Sequence, residues 1–343
     1  MATSHPQPAA GLAPDWLPHR YDAGHDAVHM ITADRALRRS APFLIDEHLP
    51  GAADPRVLRR IDVMAAAPKP APVNFIFHSA YCCSTLLANA FDRAGASSAM
   101  KEPQILNDLV GWRQRGGDPK QLAVVLDNAM TLLARPFEPG ERVVIKPSNV
   151  VNGIASAMLA MRPEAGCVLL YAPLPLFLAS IADKGMWGRL WVRDLLVKQL
   201  KDNLVADLGF EPHDHLLQTD LQAAAVGWLA QHRLFGQLAA RWPDRVRTLN
   251  SEELLDRPEE AMARIATLFG VPLEPVAIDE IVSGVFRRDA KFGHEFSRED
   301  RIAQQRARGA VHAEEVEKVS AWASEVARNA GVDMTPPGDL FAA

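Results

Sequence analysis

The sequence predicts an α/β protein built on a mainly parallel central sheet with helices covering both faces. Three observations lead there. Short apolar runs at residues 73–77, 142–147 and 167–171 are continuous rather than alternating, the pattern of strands buried on both faces. Amphipathic stretches of helical spacing separate them, and a βαβα order makes neighbouring strands parallel. Apolar residues are 48% of the 343, enough for a real core.

Taken in order, residues 1–25 are rich in Ala, Pro and Gly without periodicity and predict a flexible N-terminal arm. Residues 26–336 predict one α/β domain, and residues 337–343 a tail. Helical patches and the run Pro42-Phe43-Leu44-Ile45 lead to Pro68, Pro70 and Pro72, a stiff entry into the first strand at 73–77. Residues 78–85 then read as a tight loop. Ser84 and Thr85 open a helix, Leu87 and Phe91 stack one turn apart along it, and Gly95 ends it.

Residues 97–100 predict the second strand, running out into Lys101-Glu102-Pro103, with helices over 105–112 and 120–133. The third strand is 142–147, with Ser148 or Asn149 capping the helix after it, and the fourth is 167–171. A helical insertion is expected over 176–240, where Trp187, Trp191 and Trp228 stand at spacings that suit a core or a lid. Residues 245–249 predict a fifth strand. Asp256 and Glu259 read as a capping box for a helix carrying Met262, Ile265 and Phe269 and closed by Gly270. The last long helix places Val316, Val319, Trp322 and Val326 on one face.

A net charge of −5 and a pI near 6.1 argue against a nucleic-acid partner. Three cysteines, two of them adjacent at Cys82 and Cys83, make no disulfide framework. No His/Cys spacing matches a zinc site, His213 and His215 being the only close pair, so no metal is predicted. The first residues lack the charged start and apolar core of a signal peptide, and no apolar run nears the ~20 residues that span a bilayer. These features predict a cytoplasmic protein with no membrane or nucleic-acid partner.

Ligands of parallel α/β sheets bind at the carboxyl ends of the strands, where His78, Glu102, Lys146 and Ala172 all fall. The strand–loop–helix junction at 73–95 aims backbone N–H groups at one point, which favours an anion, phosphate above all. A Walker A pattern is absent, because no Gly-Lys pair precedes Thr85. On the residues alone, Cys82 and Cys83 are packing groups or a thiol pair activated by the helix start. Glu102 is a capped or solvent-paired carboxylate beside Lys101. The basic run at 298–308 is a solvated helix face.

Tyr81-Cys82-Cys83-Ser84-Thr85-Leu86-Leu87 resembles the phosphosulfate-binding loop of the sulfotransferase family, usually Arg or Lys, Ser, Gly, Ser or Thr, Thr. Lys101-Glu102-Pro103 sits where tyrosylprotein-type and many bacterial members carry an acidic residue, and the run to Ser180 resembles the family's strand-to-helix segment ending in Ser. Asn250-Ser251-Glu252-Glu253-Leu254-Leu255-Asp256-Arg257-Pro258 resembles its sheet-to-helix segment, so the similarity spans roughly residues 73–335.

The resemblance implies a three-layer P-loop-like fold. It also implies transfer of a sulfuryl group from the cosubstrate 3′-phosphoadenosine 5′-phosphosulfate to a hydroxyl or amine of a small-molecule or peptide acceptor, without a metal. Carried over residue by residue, it makes Glu102 the base, places Tyr81, Cys82, Cys83, Ser84 and Thr85 around the 5′ side of the nucleotide, and puts Ser180 on the 3′ side. Three positions depart from the pattern. Tyr81 replaces the loop's catalytic cation, Cys83 its glycine, and Ala172 the arginine that grips the 3′-phosphate. A phenol donates one hydrogen bond but cannot neutralise charge on a bridging oxygen. Lys146 is the expected replacement on the 5′ side, and Lys291, with Arg287 or Arg288, on the 3′ side. The same departures keep two other readings open: a non-catalytic sulfotransferase-like binding module, and an enzyme using a different phosphorylated donor.

Overall fold

The computed structural model describes residues 12–287 and 298–342, with residues 298–311 described by backbone alone. The chain opens with an antiparallel sheet of three strands, β1 (Trp16–Asp22), β2 (Ala27–Thr32) and β3 (Arg56–Arg59), in that order. Helix α1 (Arg35–Ser40) lies between the last two strands, and α2 (Arg60–Ala66) follows. The arm expected over residues 1–25 therefore contains a strand. Its order comes from elsewhere in the chain: Arg38 donates to the Pro14 carbonyl at 2.6 Å, and Arg135 donates to the carbonyls of Leu12, Ala13 and Trp16. Two buried guanidiniums thus supply partners that the arm's own sequence lacks. Burial pushes their pKa values down, to about 9 for Arg38 and about 10 for Arg135.

The second sheet organises the rest. Along the chain run β4 (Val73–His78), α3 (Ser84–Ala90), β5 (Ser97–Lys101), α4 (Gln104–Gln114), α5 (Pro119–Leu133), β6 (Arg142–Lys146), α6 (Ala155–Met161) and β7 (Cys167–Tyr171). Then come α7 (Leu174–Asp183), α8 (Gly185–Lys201), α9 (Asp214–Leu217), α10 (Asp220–Arg241), β8 (Val246–Asn250), α11 (Ser251–Asp256), α12 (Pro258–Phe269), α13 (Pro275–Gly284) and α14 (Arg298–Ala330). The five strands are all parallel in the order β5-β6-β4-β7-β8. This is the predicted α/β architecture, a parallel sheet flanked by helices. Side chains alternate across it: Ile76 enters a core shared with α3, α7 and α10, while Phe75 and Phe77 enter the one beneath β1, α4 and α5.

Asn74, 1% exposed inside an apolar strand, earns its place by hydrogen bonding. Its Nδ2 donates to the Phe269 carbonyl at 3.0 Å, and its Oδ1 accepts from Gly166 N–H at 2.9 Å, tying β4 to the entry of β7 and the end of α12.

Several local expectations shift. Helix α3 stops at Ala90 rather than Gly95, because Arg93 turns back to bridge Ser97 and Gly95, with φ +78°, serves that turn. The segment after β6 begins as a 3₁₀ turn at Asn149–Ile154, where Ser148 makes no side-chain cap. Asp256 ends α11 instead of capping α12, which starts at Pro258 with its φ already set. On α14, Ala323 and Ala327 lie deeper than Trp322 and Val326, since only small residues fit where the helix meets the body. The expected tail is also paired: Leu340 is buried, its N–H donates to the Thr248 carbonyl at 2.9 Å, and Thr248 N–H donates to Gly338.

In a sheet of this order the chain leaves β4 toward β5 on one side and later returns to β7 on the other. The carboxyl end of β4 is therefore the topological switch point where such folds bind ligands.

Candidate functional site

Three side chains meet at that switch point, one from each of the neighbouring strand ends. His78 is the last residue of β4, Lys146 the last of β6, and Glu102 follows β5 directly. Register sets this up, because Lys101 and Lys146 are partners across the parallel pair and Glu102 N–H continues the ladder to the Lys146 carbonyl at 2.6 Å. At Glu102 the backbone turns to φ +51°, which swings its side chain off the strand line. Lys146 Nζ donates to Glu102 Oε1, and His78 Nε2 lies 3.8 Å from the same oxygen.

Each group is held from behind. The imidazole Nδ1 of His78 accepts from Ala80 N–H at 3.1 Å, so its proton belongs on Nε2, which donates to the Pro147 carbonyl at 3.1 Å. The Lys146 ammonium sits 5.3 Å from the centre of the Phe43 ring. Lys101 is also 1% exposed; its Nζ donates to the Arg39 carbonyl at 2.8 Å, and desolvation pushes its pKa down to about 8. The two buried lysines face different carboxylates, Lys146 the paired Glu102 and Lys101 the charge of Asp92.

The loop after β4 is unusual in its backbone. Ala80, Tyr81 and Cys83 have φ values of 73°, 52° and 62°, the left-handed region, and none is glycine. Ser79 anchors the loop to β7: its N–H donates to the Leu170 carbonyl, and its hydroxyl accepts from Ala172 N–H at 3.3 Å. Cys83 is the N-cap of α3 without a side-chain cap bond, and Ser84 and Thr85, both buried, form its first turn. The amides of such a turn have no intrahelical acceptors.

The sequence-derived residues divide accordingly. Glu102 and Lys146 come together as an ion pair, so Lys146 is engaged with Glu102 instead of standing free as a substitute loop cation. Its ammonium is still near enough to the loop to act on the Cys82 thiol. Tyr81 points into an aromatic cluster, with its ring 6.2 Å from Phe177 and 5.6 Å from Trp191, and burial pushes its phenol up to about 12. Cys82 is buried, its Sγ donates to the Leu170 carbonyl at 3.4 Å, and burial pushes its pKa up to about 12, a packing group rather than an activated thiol. Ser180 donates its hydroxyl to the Leu176 carbonyl one turn back on α7 at 2.8 Å.

Ala172 is buried, and its carbonyl accepts from Trp228 Nε1 at 2.9 Å. Lys291 and Arg288 lie outside the described residues. Arg287 is exposed on a turn, Val285–Arg287, that packs against α3. Sequence reasoning gave no role to His78 or Phe43. His78 had a usable signal, as the last residue of the strand before the loop; Phe43 had none, because nothing local ties it to Lys146.

The chain is a three-layer α/β protein with an ion-paired site at the switch point of a parallel sheet. Among solved structures it is similar to sulfotransferase domains. One comes from the curacin biosynthetic pathway, 14% identical, covering 66% of this chain and 81% of that one with a TM-score of 0.39. Another comes from the Synechococcus PCC 7002 olefin synthase, 12% identical, covering 66% and 82% with a TM-score of 0.37. No family model matches the chain, and no curated protein does.

Proposed function

We propose that the protein is a sulfotransferase-like enzyme that takes a sulfuryl group from 3′-phosphoadenosine 5′-phosphosulfate to a hydroxyl or amine acceptor. The observation that carries this reading is the meeting of Glu102, Lys146 and His78 at the carboxyl end of the sheet, beside the loop that leads into α3. The loop's resemblance to a phosphosulfate-binding loop supports it independently.

In this reading the acceptor oxygen or nitrogen attacks sulfur, the bond from sulfur to the bridging oxygen of the phosphosulfate breaks, and the acceptor proton passes to Glu102. The pairing with Lys146 gives that step its logic. As the carboxylate takes the proton, the ammonium loses its counter-charge and turns to the negative charge developing on the leaving phosphate. His78, with its proton fixed on Nε2, orients rather than accepts. Ser84, Thr85 and the first-turn amides of α3 hold the 5′ side. The 3′ side falls to Arg287 and to Ser180, once its hydroxyl leaves the Leu176 carbonyl.

A second reading is a non-catalytic nucleotide-binding module, favoured by Tyr81, whose ring is packed in an aromatic cluster where the family has a free cation. Titration calorimetry with 3′-phosphoadenosine 5′-phosphate, followed by transfer assays, separates the two. The enzyme reading expects binding, weakened about ten- to hundredfold by Lys146→Met, which is the ~1.5–3 kcal/mol of a charge-assisted contact. Binding without transfer to any acceptor leaves the module. Absence of binding removes both and turns attention to another phosphorylated donor.

A further inference from the structure

Helix α8 leaves a row of large apolar side chains in solvent. Met186, Trp187 and Leu190 are 70%, 61% and 63% exposed, and Val197 and Leu200 continue the same side of the helix at 49% and 38%. Leu216 and Leu217 on α9 are 81% and 79% exposed. The two helices adjoin, because Arg193, between Leu190 and Val197, donates to the carbonyls of His215 and Gln218 at 3.5 and 2.5 Å. Seven such side chains at roughly 100 Å² each leave on the order of 700 Å² of apolar surface in one place, above the ~300–600 Å² of the largest patch on an ordinary monomer.

The charges around the row narrow what covers it. Arg189 is paired with Glu315 at 2.9 Å, Arg193 with Asp220 at 2.7 Å, and Lys198 with Asp194 at 2.5 Å. Three of the cations along α8 are thus paired with carboxylates of this chain, which leaves Lys201 at the exposed end of the helix, and the whole protein carries a net charge of −5. An acidic membrane or a nucleic acid would find little to hold. An apolar face with a single lysine, Lys201, at its end suits another apolar face, and ~700 Å² is close to the ~800 Å² each partner contributes to a stable interface.

We propose that the α8–α9 face is the contact between two copies of this chain. Laid antiparallel about a twofold axis, two α8 helices set the bulky end, Met186, Trp187 and Leu190, against Val197 and Leu200 of the other copy, as an isologous interface requires. The contact reaches toward the candidate site. Trp187 stacks on Trp191 at 6.4 Å, and Trp191 meets the loop residue Tyr81 edge-on at 5.6 Å, so a second copy covering Trp187 stiffens the support behind the loop.

Sedimentation velocity of the full chain from 1 to 100 µM tests this, with Leu190→Glu and Met186→Lys as variants whose exposed positions leave folding intact, checked by circular dichroism. The expected result is a dimer in wild type and at least a tenfold weaker association in each variant. A wild type monomeric at 100 µM, or variants that dimerise as tightly as wild type, overturns the proposal. Cosedimentation with vesicles of phosphatidylcholine, with and without phosphatidylserine, provides the competing outcome: vesicle binding by a monomeric wild type, lost in Leu190→Glu, assigns the face to lipid instead.

Discussion

Lys146 and Glu102 complete each other at the carboxyl ends of adjacent strands: an ammonium 1% exposed donates to a carboxylate that is itself largely covered. Taking away either member leaves a charge in poor solvent. Glu102→Gln strands the ammonium and is expected to cost about 3–5 kcal/mol, and Lys146→Met, which leaves a carboxylate with some access to water, about 2–4 kcal/mol. The double variant is expected to cost less than the sum by about 1–3 kcal/mol, measured by urea unfolding as a double-mutant cycle. Strict additivity would show that the two groups are not coupled. The same Glu102→Gln protein, if it bound the nucleotide and kept full transfer activity, would show that the base lies elsewhere.

Lys101 makes a pH prediction. Its folded pKa of about 8 lies below the ordinary lysine value of 10.5, and burial is the main cause. A lysine depressed by folding holds fewer protons in the native than in the unfolded state between those two values. It therefore weakens the fold fully below pH 8, and the penalty fades as pH rises toward 10.5. Lys101→Met keeps most of the chain's volume and leaves the Arg39 carbonyl to water, while Asp92, whose charge acts on Lys101, keeps its pairs with Arg35 and Arg39. It is expected to stabilise the protein by up to about 3 kcal/mol at pH 7, with the gain shrinking between pH 8 and 10.5. Denaturant titrations of both proteins across pH 6.5–10.5 check this; a difference that does not change with pH would contradict it.

The parts legible in the sequence are those whose cause is local. Residues 73–77, 142–147 and 167–171 had to be buried strands because both faces of each are apolar, and Glu102 and Lys146 followed as residues at strand ends. β1 was missed because its order depends on Arg38 of α1 and Arg135 just past the end of α5, which reach back to the carbonyls of residues 12–16. The end of the chain was missed for a similar reason, since Gly338 and Leu340 pair with Thr248 across the edge of the sheet. In the site, the identity of the charged groups was legible but their partnership was not. A strand-end lysine and a strand-end glutamate are compatible with separate roles until register places them side by side. Tyr81 was read at the site of a cation, and only the positions of Phe177 and Trp191 show where its ring goes.

Thiol chemistry follows from burial. Cys82 and Cys167 are 1% and 0% exposed, and burial raises both thiol pKa values, whereas Cys83 is half-buried. Neither of the first two presents a thiolate to reagent near neutral pH. With iodoacetamide at pH 8, mass spectrometry of the native protein is expected to find modification at Cys83 alone, with all three labelled in urea. Rapid native labelling of Cys82 would instead mean that its thiol is activated and accessible.

Cys83 tests the loop. Its φ of 62° places an L side chain where Cβ crowds the backbone, at a cost of roughly 1–2 kcal/mol that glycine does not incur. Against that gain, glycine frees the unfolded chain and removes a side chain partly packed on the core, which together offset about 1 kcal/mol. Cys83→Gly should therefore change stability by less than about 1 kcal/mol in either direction. Cys83→Thr, close to cysteine in volume but branched at Cβ, has no such relief and is expected to fall about 1–2 kcal/mol below the glycine variant, because branched residues tolerate this region worst. Thermal unfolding of the two variants side by side separates backbone strain from packing. Equal stabilities would place the demand at position 83 in the volume of its side chain, and the left-handed turn into α3 would then not be what limits the choice of residue there.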